Sequence, residues 1–163
     1  DLQNNQISLE NAEVLILGAG GATRGIVPTL FASSVGSIIL CNRTMAKAEL
    51  LQEEFLPYGE IICQTPEQLS GKFDLIINAT SASLSGEIPD IPDTIIPRSV
   101  CYDLAYAYGE TPFQNWTKQN NSSKSLQGWG MLVEQAAESF YIWRGVRPKT
   151  QEIIQRLQTE LEN

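Results

Sequence analysis

Residues 13–47 read EVLILGAGGATRGIVPTLFASSVGSIILCNRTMAK, and the architecture of the whole chain follows from them. An apolar run at 14–17 leads into five small residues, then into a helical pattern and a second apolar run at 38–41. This order predicts a βαβ unit whose first strand ends in a turn made of Gly18, Ala19, Gly20, Gly21 and Ala22. Glycine adopts backbone angles closed to other residues and leaves the amides at the helix start uncovered. Those amides and the helix dipole predict a site for a pyrophosphate.

The end of the second strand predicts which dinucleotide binds. An NAD site usually carries Asp or Glu there, about 20 residues past the glycines, to accept hydrogen bonds from the ribose. This chain has Asn42, Arg43 and Thr44 instead, and Lys47 follows one helical turn later. A guanidinium and an ammonium beside short donors suit a 2′-phosphate, so the residues predict NADP over NAD. A tight turn without a ligand remains the alternative, because Thr23 occupies the third glycine position of G-x-G-x-x-G.

Composition limits the classes of function. The 163 residues suit one domain, and a net charge of −8 disfavours nucleic acid and anionic membrane as partners. The chain has no histidine, which is the usual ligand in zinc sites and the usual base in Ser–His–Asp or Cys–His catalysis. No metal site is therefore predicted. Cys41, Cys63 and Cys101 lie in predicted strands, which favours free thiols in a reducing compartment, the cytoplasm. No apolar run is long enough to span a membrane, and no signal peptide is recognised.

The rest of the chain alternates strands with helices. The predicted strands cover 14–17, 38–41, 60–64, 73–78, 99–104 and 125–127, and the predicted helices cover 22–33, 45–55, 112–118, 131–143 and 149–161. This alternation is typical of an α/β Rossmann-type fold, a doubly wound parallel sheet in a three-layer α/β/α arrangement. Pro28 lies inside the first helix, where a kink is expected. In the last helix, the residues expected to face inward are Ile153, Ile154, Leu157 and Leu161.

The exit of the fourth strand is a second candidate for ligand contact. Residues 78–83 read NATSAS, and small polar groups at the carboxyl end of a parallel strand can reach a ligand. A solvated polar loop explains the same residues equally well. Residues 84–97 carry three prolines and predict an irregular connection.

Five stretches together resemble the NADP-binding domain of shikimate dehydrogenase. They read GAGGATRG at 18–25, NRTMAK at 42–47, FDLIINATSASLSG at 73–86, YDLAYAYGETPF at 102–113 and GWGMLVEQAAESFYIWRG at 128–145. The first two are shared with other NADP-binding domains, whereas the last three are specific to this family. The resemblance covers essentially the whole chain and implies one NADP-binding domain over residues 1–163.

Carried over position by position, the resemblance implies roles for individual residues. It implies that residues 18–22 line the diphosphate and that the 2′-phosphate is held by Asn42, Arg43, Thr44, Met45, Ala46 and Lys47. It implies that Thr80 and Ser81 flank the cofactor, that Leu104 and Gly128 lie by the nicotinamide, and that Tyr106 and Gln135 touch the substrate. Gln127 stands where the family usually has an aspartate, which leaves the form of the neighbouring loop open.

The reaction implied is reversible hydride transfer between NADPH and 3-dehydroshikimate. In this family a lysine and an aspartate of a preceding substrate domain handle the proton, and that domain is not part of this chain. None of the chain's lysines stands in a matching context, so no catalytic residue is predicted here. The chain begins at Asp1 rather than at a methionine, and we expect it to be a fragment that binds NADP without turning over shikimate alone.

Two alternatives remain. One is a related dehydrogenase acting on quinate, or the NADP domain of another enzyme, which the missing substrate domain would decide. The other is a non-catalytic, NADP-sensing module. An upstream reading frame encoding the lysine and the aspartate would exclude the second alternative.

Overall fold

The computed structural model describes residues 1–161. The described strands are β1 (Glu13–Leu17), β2 (Ser37–Cys41), β3 (Ile61–Gln64), β4 (Leu75–Asn78), β5 (Val100–Asp103) and β6 (Lys124–Gln127). The described helices are α1 (Gly21–Ala32), α2 (Met45–Phe55), α3 (Pro112–Gln119), α4 (Trp129–Arg144) and α5 (Gln151–Leu161). Short 3-10 turns at Pro66–Gln68, Ala82–Ser85 and Asp93–Ile95 complete the secondary structure of this part of the chain. None of the described helices is both long and apolar enough to cross a bilayer.

The strands form one parallel sheet in the order β3-β2-β1-β4-β5-β6. The order reverses between β1 and β4, which are direct neighbours although two strands separate them in sequence. In such sheets the ligand crevice lies beyond the carboxyl ends of the strands at the reversal. The predicted doubly wound α/β fold is therefore confirmed, and the reversal places the ends of β1, β2 and β4 beside one another.

Residues of β1 alternate between two hydrophobic cores. Val14 and Ile16 pack with Val27 of α1 and Leu51 of α2 in the first core. Leu15 and Leu17 belong to the second core, which is completed by Phe113 of α3 and by the turns that carry Leu69 and Ile95. Full burial of a leucine or isoleucine side chain contributes about 1.5–3 kcal/mol. Both faces of the sheet are therefore packed against helices and turns, and the carboxyl ends of the strands support the loops that follow them.

The turn between β1 and α1 needs glycine at one position for its backbone angles. Gly18 has φ +98°, whereas Gly20 precedes α1 in an extended conformation that any residue adopts. Of the two predicted reasons for glycine in this turn, special backbone angles therefore apply at Gly18, whereas Gly20 has room for a Cβ and an ordinary conformation. Thr23 is buried, and its hydroxyl donates to the Gly18 carbonyl oxygen at 2.5 Å, so it closes the turn where a third glycine was expected. Helix α1 continues through Pro28.

The C-terminal helices differ in part from the prediction. Helix α4 begins at Trp129, two residues earlier than expected, and stops at Gly145, whose φ of +69° ends it as predicted. In α5, Ile154 and Leu157 are partly buried, but Ile153 remains 50% exposed, so its predicted inward position is wrong. The side chain of Leu161 lies outside the described residues.

Candidate functional site

A cavity of about 550 Å³ lies at the carboxyl ends of β1, β2 and β4. Eight of the residues predicted to contact a cofactor line it: Gly18, Ala19, Gly20, Asn42, Arg43, Lys47, Thr80 and Ser81. The structure thus brings the glycine turn, the basic segment and the exit of β4 together around one space. This is the crevice expected from the reversal of strand order.

The glycine turn forms an open anion site at the start of α1. A Cβ added at Gly20 or Gly21 would meet no atom within 4 Å, so the space before the helix is clear. Helix α1 has no side-chain cap and no acidic residue in its first turn. Its first N–H groups and the positive end of its dipole are therefore left to an external partner. These features fit a diphosphate, which needs close approach to backbone amides.

Asn42 joins the glycine turn to the basic segment. Its Oδ1 accepts a hydrogen bond from the Ala19 N–H at 3.2 Å, and its Nδ2 donates to the Thr44 carbonyl oxygen at 2.7 Å. The side chain predicted to contact a phosphate is thus largely engaged within the protein. Asn42 fixes the spacing of the two segments. Thr44 stands at the N-cap position of α2, but its side chain makes no capping hydrogen bond.

Arg43 and Lys47 carry the positive charge of the cavity. Both are exposed, and neither forms an ion pair with any of the described residues. Among the other arginines, those at 24, 147 and 156 have carboxylate partners, whereas those at 98 and 144 have none among the described residues and lie outside the cavity lining. Two cations without a partner in the described residues, beside a helix N-terminus, give this part of the cavity a local positive charge in a chain of net charge −8.

The exit of β4 is held by a buried carboxylate that the sequence analysis missed. Asp103, at the end of β5, is fully buried and accepts four hydrogen bonds, from Asn78 Nδ2, Ser83 Oγ, Thr111 Oγ1 and the Ala105 N–H, at 2.6–3.2 Å. Asn78 in turn accepts from both the N–H and the hydroxyl of Thr80, at 3.1 and 2.7 Å. The sequence did contain a signal for this buried carboxylate, because Asp103 is a charged residue inside the apolar run VCYDL.

Thr80 links this network to the glycine turn. A Cβ placed on Gly18 would lie 3.0 Å from Thr80 Cγ2 and 3.1 Å from the Ala79 carbonyl oxygen. The loop after β4 therefore packs directly against the turn after β1. Because Asp103 holds Asn78 and Asn78 holds Thr80, the wall of the cavity is ordered before any ligand arrives.

The remaining predicted residues do not line this cavity. They are Gly21, Ala22, Thr44, Met45, Ala46, Leu104, Tyr106, Gly128 and Gln135. Leu104 instead lines a second hollow of about 300 Å³ together with Tyr102 and Met131. Gly128 is required for packing, because a Cβ there would come 2.5 Å from the Leu104 carbonyl oxygen. The first five of these residues belong to the segments after β1 and β2 but lie outside the cavity lining, whereas Leu104, Tyr106, Gly128 and Gln135 form a separate group after β5 and β6.

Two further features of the cavity were not predicted. Its outer wall includes residues 85 and 87–91, from the connection expected only to be irregular. Cys41 also lines it, and burial, with a smaller effect of Glu67, raises the pKa of this thiol to about 11. A thiol with such a pKa is protonated near neutral pH, so Cys41 is part of the wall rather than a nucleophile. No metal-binding cluster of three or more His, Cys, Asp or Glu side chains occurs within residues 1–161.

Two family models match the chain. One, described as shikimate / quinate 5-dehydrogenase, matches residues 1–85, and the other, described as shikimate 5′-dehydrogenase C-terminal domain, matches residues 128–158. The first contains the glycine turn, the basic segment and the exit of β4. The second begins at Gly128 and includes helix α4.

Individual relatives agree with the family models. The shikimate dehydrogenase (NADP(+)) of Vibrio cholerae is 48% identical over 163 residues, which cover 99% of this chain and 59% of that protein. The crystal structure of an Ael1 enzyme from Pseudomonas putida superimposes with a TM-score of 0.90 at 40% identity, over 96% of this chain and 58% of that one. Shikimate dehydrogenase from Aquifex aeolicus gives a TM-score of 0.79 at 30% identity, over 95% and 56%.

The chain therefore spans somewhat more than half the length of the relatives it matches. The resemblance in the sequence, the two family models and the superimposed structures agree on one assignment. The chain belongs to the shikimate / quinate 5-dehydrogenase family.

Proposed function

We propose that this chain is the NADP-binding part of a shikimate dehydrogenase, which transfers hydride between NADPH and 3-dehydroshikimate. The observation that carries the proposal is the single cavity in which an uncapped, glycine-lined helix start lies beside Arg43 and Lys47. A dinucleotide with an additional phosphate requires both features at this spacing. The relatives named shikimate dehydrogenase (NADP(+)) support the choice of cofactor and reaction.

Each segment of the site has a role in holding NADP. Within the 18–22 turn, the Gly18 and Ala19 N–H groups are bonded inside the protein, so the N–H groups of residues 20–22 would receive the diphosphate. Arg43 and Lys47, in the 42–47 segment, would pair with the 2′-phosphate. Thr80 and Ser81 would flank the cofactor, and Leu104 and Gly128 would lie toward its nicotinamide. The nicotinamide, when bound, supplies or accepts the hydride. The chain's own residues bind and orient the cofactor and pair its phosphate groups with backbone amides and cations.

Proton handling is assigned to a part of the protein outside this chain. The relatives are longer than the segment matched here, and no described lysine faces the cavity except Lys47, which belongs to the phosphate site. We propose that residues 1–163 form an NADP-binding Rossmann domain and that a separate domain completes the substrate site, with Tyr106 and Gln135 contributing from this side. The isolated chain is expected to bind NADP and to show no turnover.

Quinate is the second candidate substrate, because the matching family model covers quinate dehydrogenases as well. Quinate and shikimate are both hydroxylated ring acids, and the cavity described here holds the cofactor rather than the acid. Assay of the complete protein with both acids would decide between them. A cytoplasmic location is also proposed, supported by the buried free thiols of Cys41 and Cys101.

The cofactor assignment is tested by titrating NADP and NAD against the chain, with calorimetry to measure each Kd. NADP is expected to be the tighter ligand, and Arg43→Ala is expected to weaken it about 10–100-fold by removing a charge-assisted contact. The same variant should leave the Kd of NAD unchanged.

Lys72→Ala provides the matched control, because Lys72 is exposed and does not line the cavity. It should bind NADP as the unmodified chain does. The assignment is wrong if NAD binds more tightly than NADP, or if Arg43→Ala retains the original preference.

A further inference from the structure

The loop between β5 and α3, residues 104–110, is fixed at its start and in its middle. The Leu104 N–H donates to the Asn78 carbonyl oxygen at 2.9 Å, and the Gly128 N–H donates to the Ala105 carbonyl oxygen at 3.0 Å. The centre of the loop depends on the side chain that ends β6 and on the first side chain of α4. Its order therefore comes from Gln127 and Trp129 rather than from regular secondary structure.

Gln127 uses both ends of its amide on this loop. Its Oε1 accepts from the Ala107 N–H at 3.0 Å, and its Nε2 donates to the Gly109 carbonyl oxygen at 2.8 Å. A carboxylate could replace the first hydrogen bond but not the second, because it has no donor and would face the carbonyl oxygen with like charge. The glutamine in place of the family's usual aspartate is therefore matched to this loop.

Trp129 holds the same loop from the first residue of α4. Its indole N–H donates to the Ala107 carbonyl oxygen at 3.1 Å. Its ring packs against Tyr106 at 4.6 Å between centroids and against the edge of Tyr108 at 6.2 Å. Gln127 and Trp129 thus bind the N–H and the C=O of one residue, Ala107, which directly follows Tyr106.

Tyr106 is held by its ring while its hydroxyl stays available. The side chain is 41% exposed, and its hydroxyl is engaged by none of the described side chains. A tyrosine whose ring is fixed and whose hydroxyl has no partner among the described residues loses little side-chain freedom when it binds a polar group. Tyr108, also beside Trp129, is 86% exposed and lacks a comparable support.

We propose that Gln127 and Trp129 are positioning residues, which lock loop 104–110 and hold Tyr106 so that its hydroxyl donates to a small hydroxylated carboxylic acid. The proposal rests on the proposed function, because it takes Tyr106 as a substrate contact. It assigns substrate affinity at this edge to a clamp formed by the end of β6 and the start of α4, whose residues do not line the cavity of the phosphate site.

The test uses the complete native protein with its substrate domain, and compares Gln127→Glu, Tyr106→Phe and the double variant. Gln127→Glu should raise the KM for shikimate about tenfold, while the Kd of NADP stays within a factor of two. Tyr106→Phe should raise the KM by a similar factor. The double variant should match Tyr106→Phe alone, because Gln127 acts through Tyr106.

A purely structural role for Gln127 predicts a different result. It would lower the melting temperature without changing the KM, or its effect on KM would multiply with that of Tyr106→Phe. Either outcome in a folded protein overturns the proposal. Tyr108→Phe serves as the matched control and should leave the KM unchanged.

Trp129→Phe keeps the proposal testable if Gln127→Glu fails to fold. It retains a ring beside Tyr106 but loses the indole donor to Ala107, so about a threefold rise in KM is expected. An unchanged KM in this variant counts against the clamp.

Amide hydrogen exchange tests whether Gln127 orders the loop, independently of whether the protein oxidises shikimate. The Ala107 amide should exchange slowly in the wild-type protein and faster in Gln127→Glu, because repulsion of the Gly109 carbonyl oxygen loosens the loop even where the Ala107 N–H keeps an acceptor. If the wild-type protein fails to oxidise shikimate, the proposed function is wrong, and exchange alone then decides whether Gln127 locks the loop.

Discussion

At the ends of β1 and β2 the chain leaves two cations and the start of a helix without partners in the described part of the chain, whereas at the ends of β4 and β5 it pairs the buried polar groups of Asn78 and Asp103. Arg43 and Lys47 form no ion pair within the described residues, and the start of α1 has no side-chain cap. Asp103, by contrast, accepts four hydrogen bonds, and both ends of the Asn78 amide are occupied. The first group is available to a ligand, and the second supports the site's geometry.

This division explains how an acidic chain can bind an anion. Arg43, Lys47 and the uncapped start of α1 supply the attraction for an anion. They bind it tightly only if their spacing is fixed before the ligand arrives. Asn42 fixes the glycine turn to the basic segment, and the network from Asp103 through Asn78 to Thr80 fixes the opposite wall. Binding capacity and stability therefore reside in different residues, although the strands that carry them, β1 and β4, are direct neighbours.

Removal of the Asp103 carboxylate is the strongest way to test this division. Asp103→Ala leaves three side-chain donors and one backbone N–H without their acceptor at a buried site. Because an unsatisfied buried donor costs about 1–3 kcal/mol, we expect the free energy of unfolding to fall by about 3 kcal/mol or more. Denaturant unfolding of the chain without ligand measures the loss.

Glu87→Ala is the control for Asp103→Ala, because Glu87 is an exposed carboxylate on the cavity's outer wall. Its free energy of unfolding should change by less than about 0.5 kcal/mol. If Asp103→Ala is no more destabilising than this control, the network does not support the wall as described.

The half of the site at β1 and β2 could be predicted from sequence because its features are local. A glycine-rich run after an apolar strand, and basic residues after the next strand, are separated by the fixed length of a βαβ unit. The sheet places both at one edge without further information. Gly18, Gly20, Arg43 and Lys47 accordingly line one cavity.

The half at β4 and β5 could not be predicted in the same way, because its contacts join residues far apart in sequence. Asp103 contacts Asn78 and Ser83, which precede it by 25 and 20 residues. Gln127 reaches loop residues 20 and 18 positions before it. No periodicity signals such pairs. The prediction that Ile153 faces inward was wrong for a related reason. The spacing of apolar residues in a helix shows which face is apolar, but it does not show which other element packs against that face.

Alanine substitutions at two glycines of the same turn test whether the stability of the turn and its binding of NADP depend on different residues. Gly18→Ala should reduce the free energy of unfolding by about 1–2 kcal/mol, because its φ of +98° disfavours a side chain and Thr80 lies within contact. Gly20→Ala should leave stability within about 0.5 kcal/mol of the original, because its Cβ meets open space. Thermal unfolding of both variants without ligand provides the measurement.

The two variants should reverse their order when NADP binding is measured. The Cβ at position 20 enters the space assigned to the diphosphate, so Gly20→Ala should weaken NADP more than its small effect on stability suggests. Gly25→Ala, in the exposed part of α1, controls for the loss of glycine itself. Equal loss of stability at positions 18 and 20 would contradict the separation of support from binding.

The smallest effect is expected at Lys47, and it tests whether the open half acts by charge or by geometry. Lys47 is an exposed point charge on α2, so Lys47→Ala should weaken NADP only about two- to fivefold, an effect that shrinks as salt is added. Lys47→Arg retains the charge and adds a planar pair of donors, so it should bind NADP at least as tightly as lysine. Titrations at low and high ionic strength measure both variants. A loss that persists unchanged in high salt would mean that Lys47 contributes a fixed hydrogen bond, and the open half would then be as preorganised as the half that Asp103 supports.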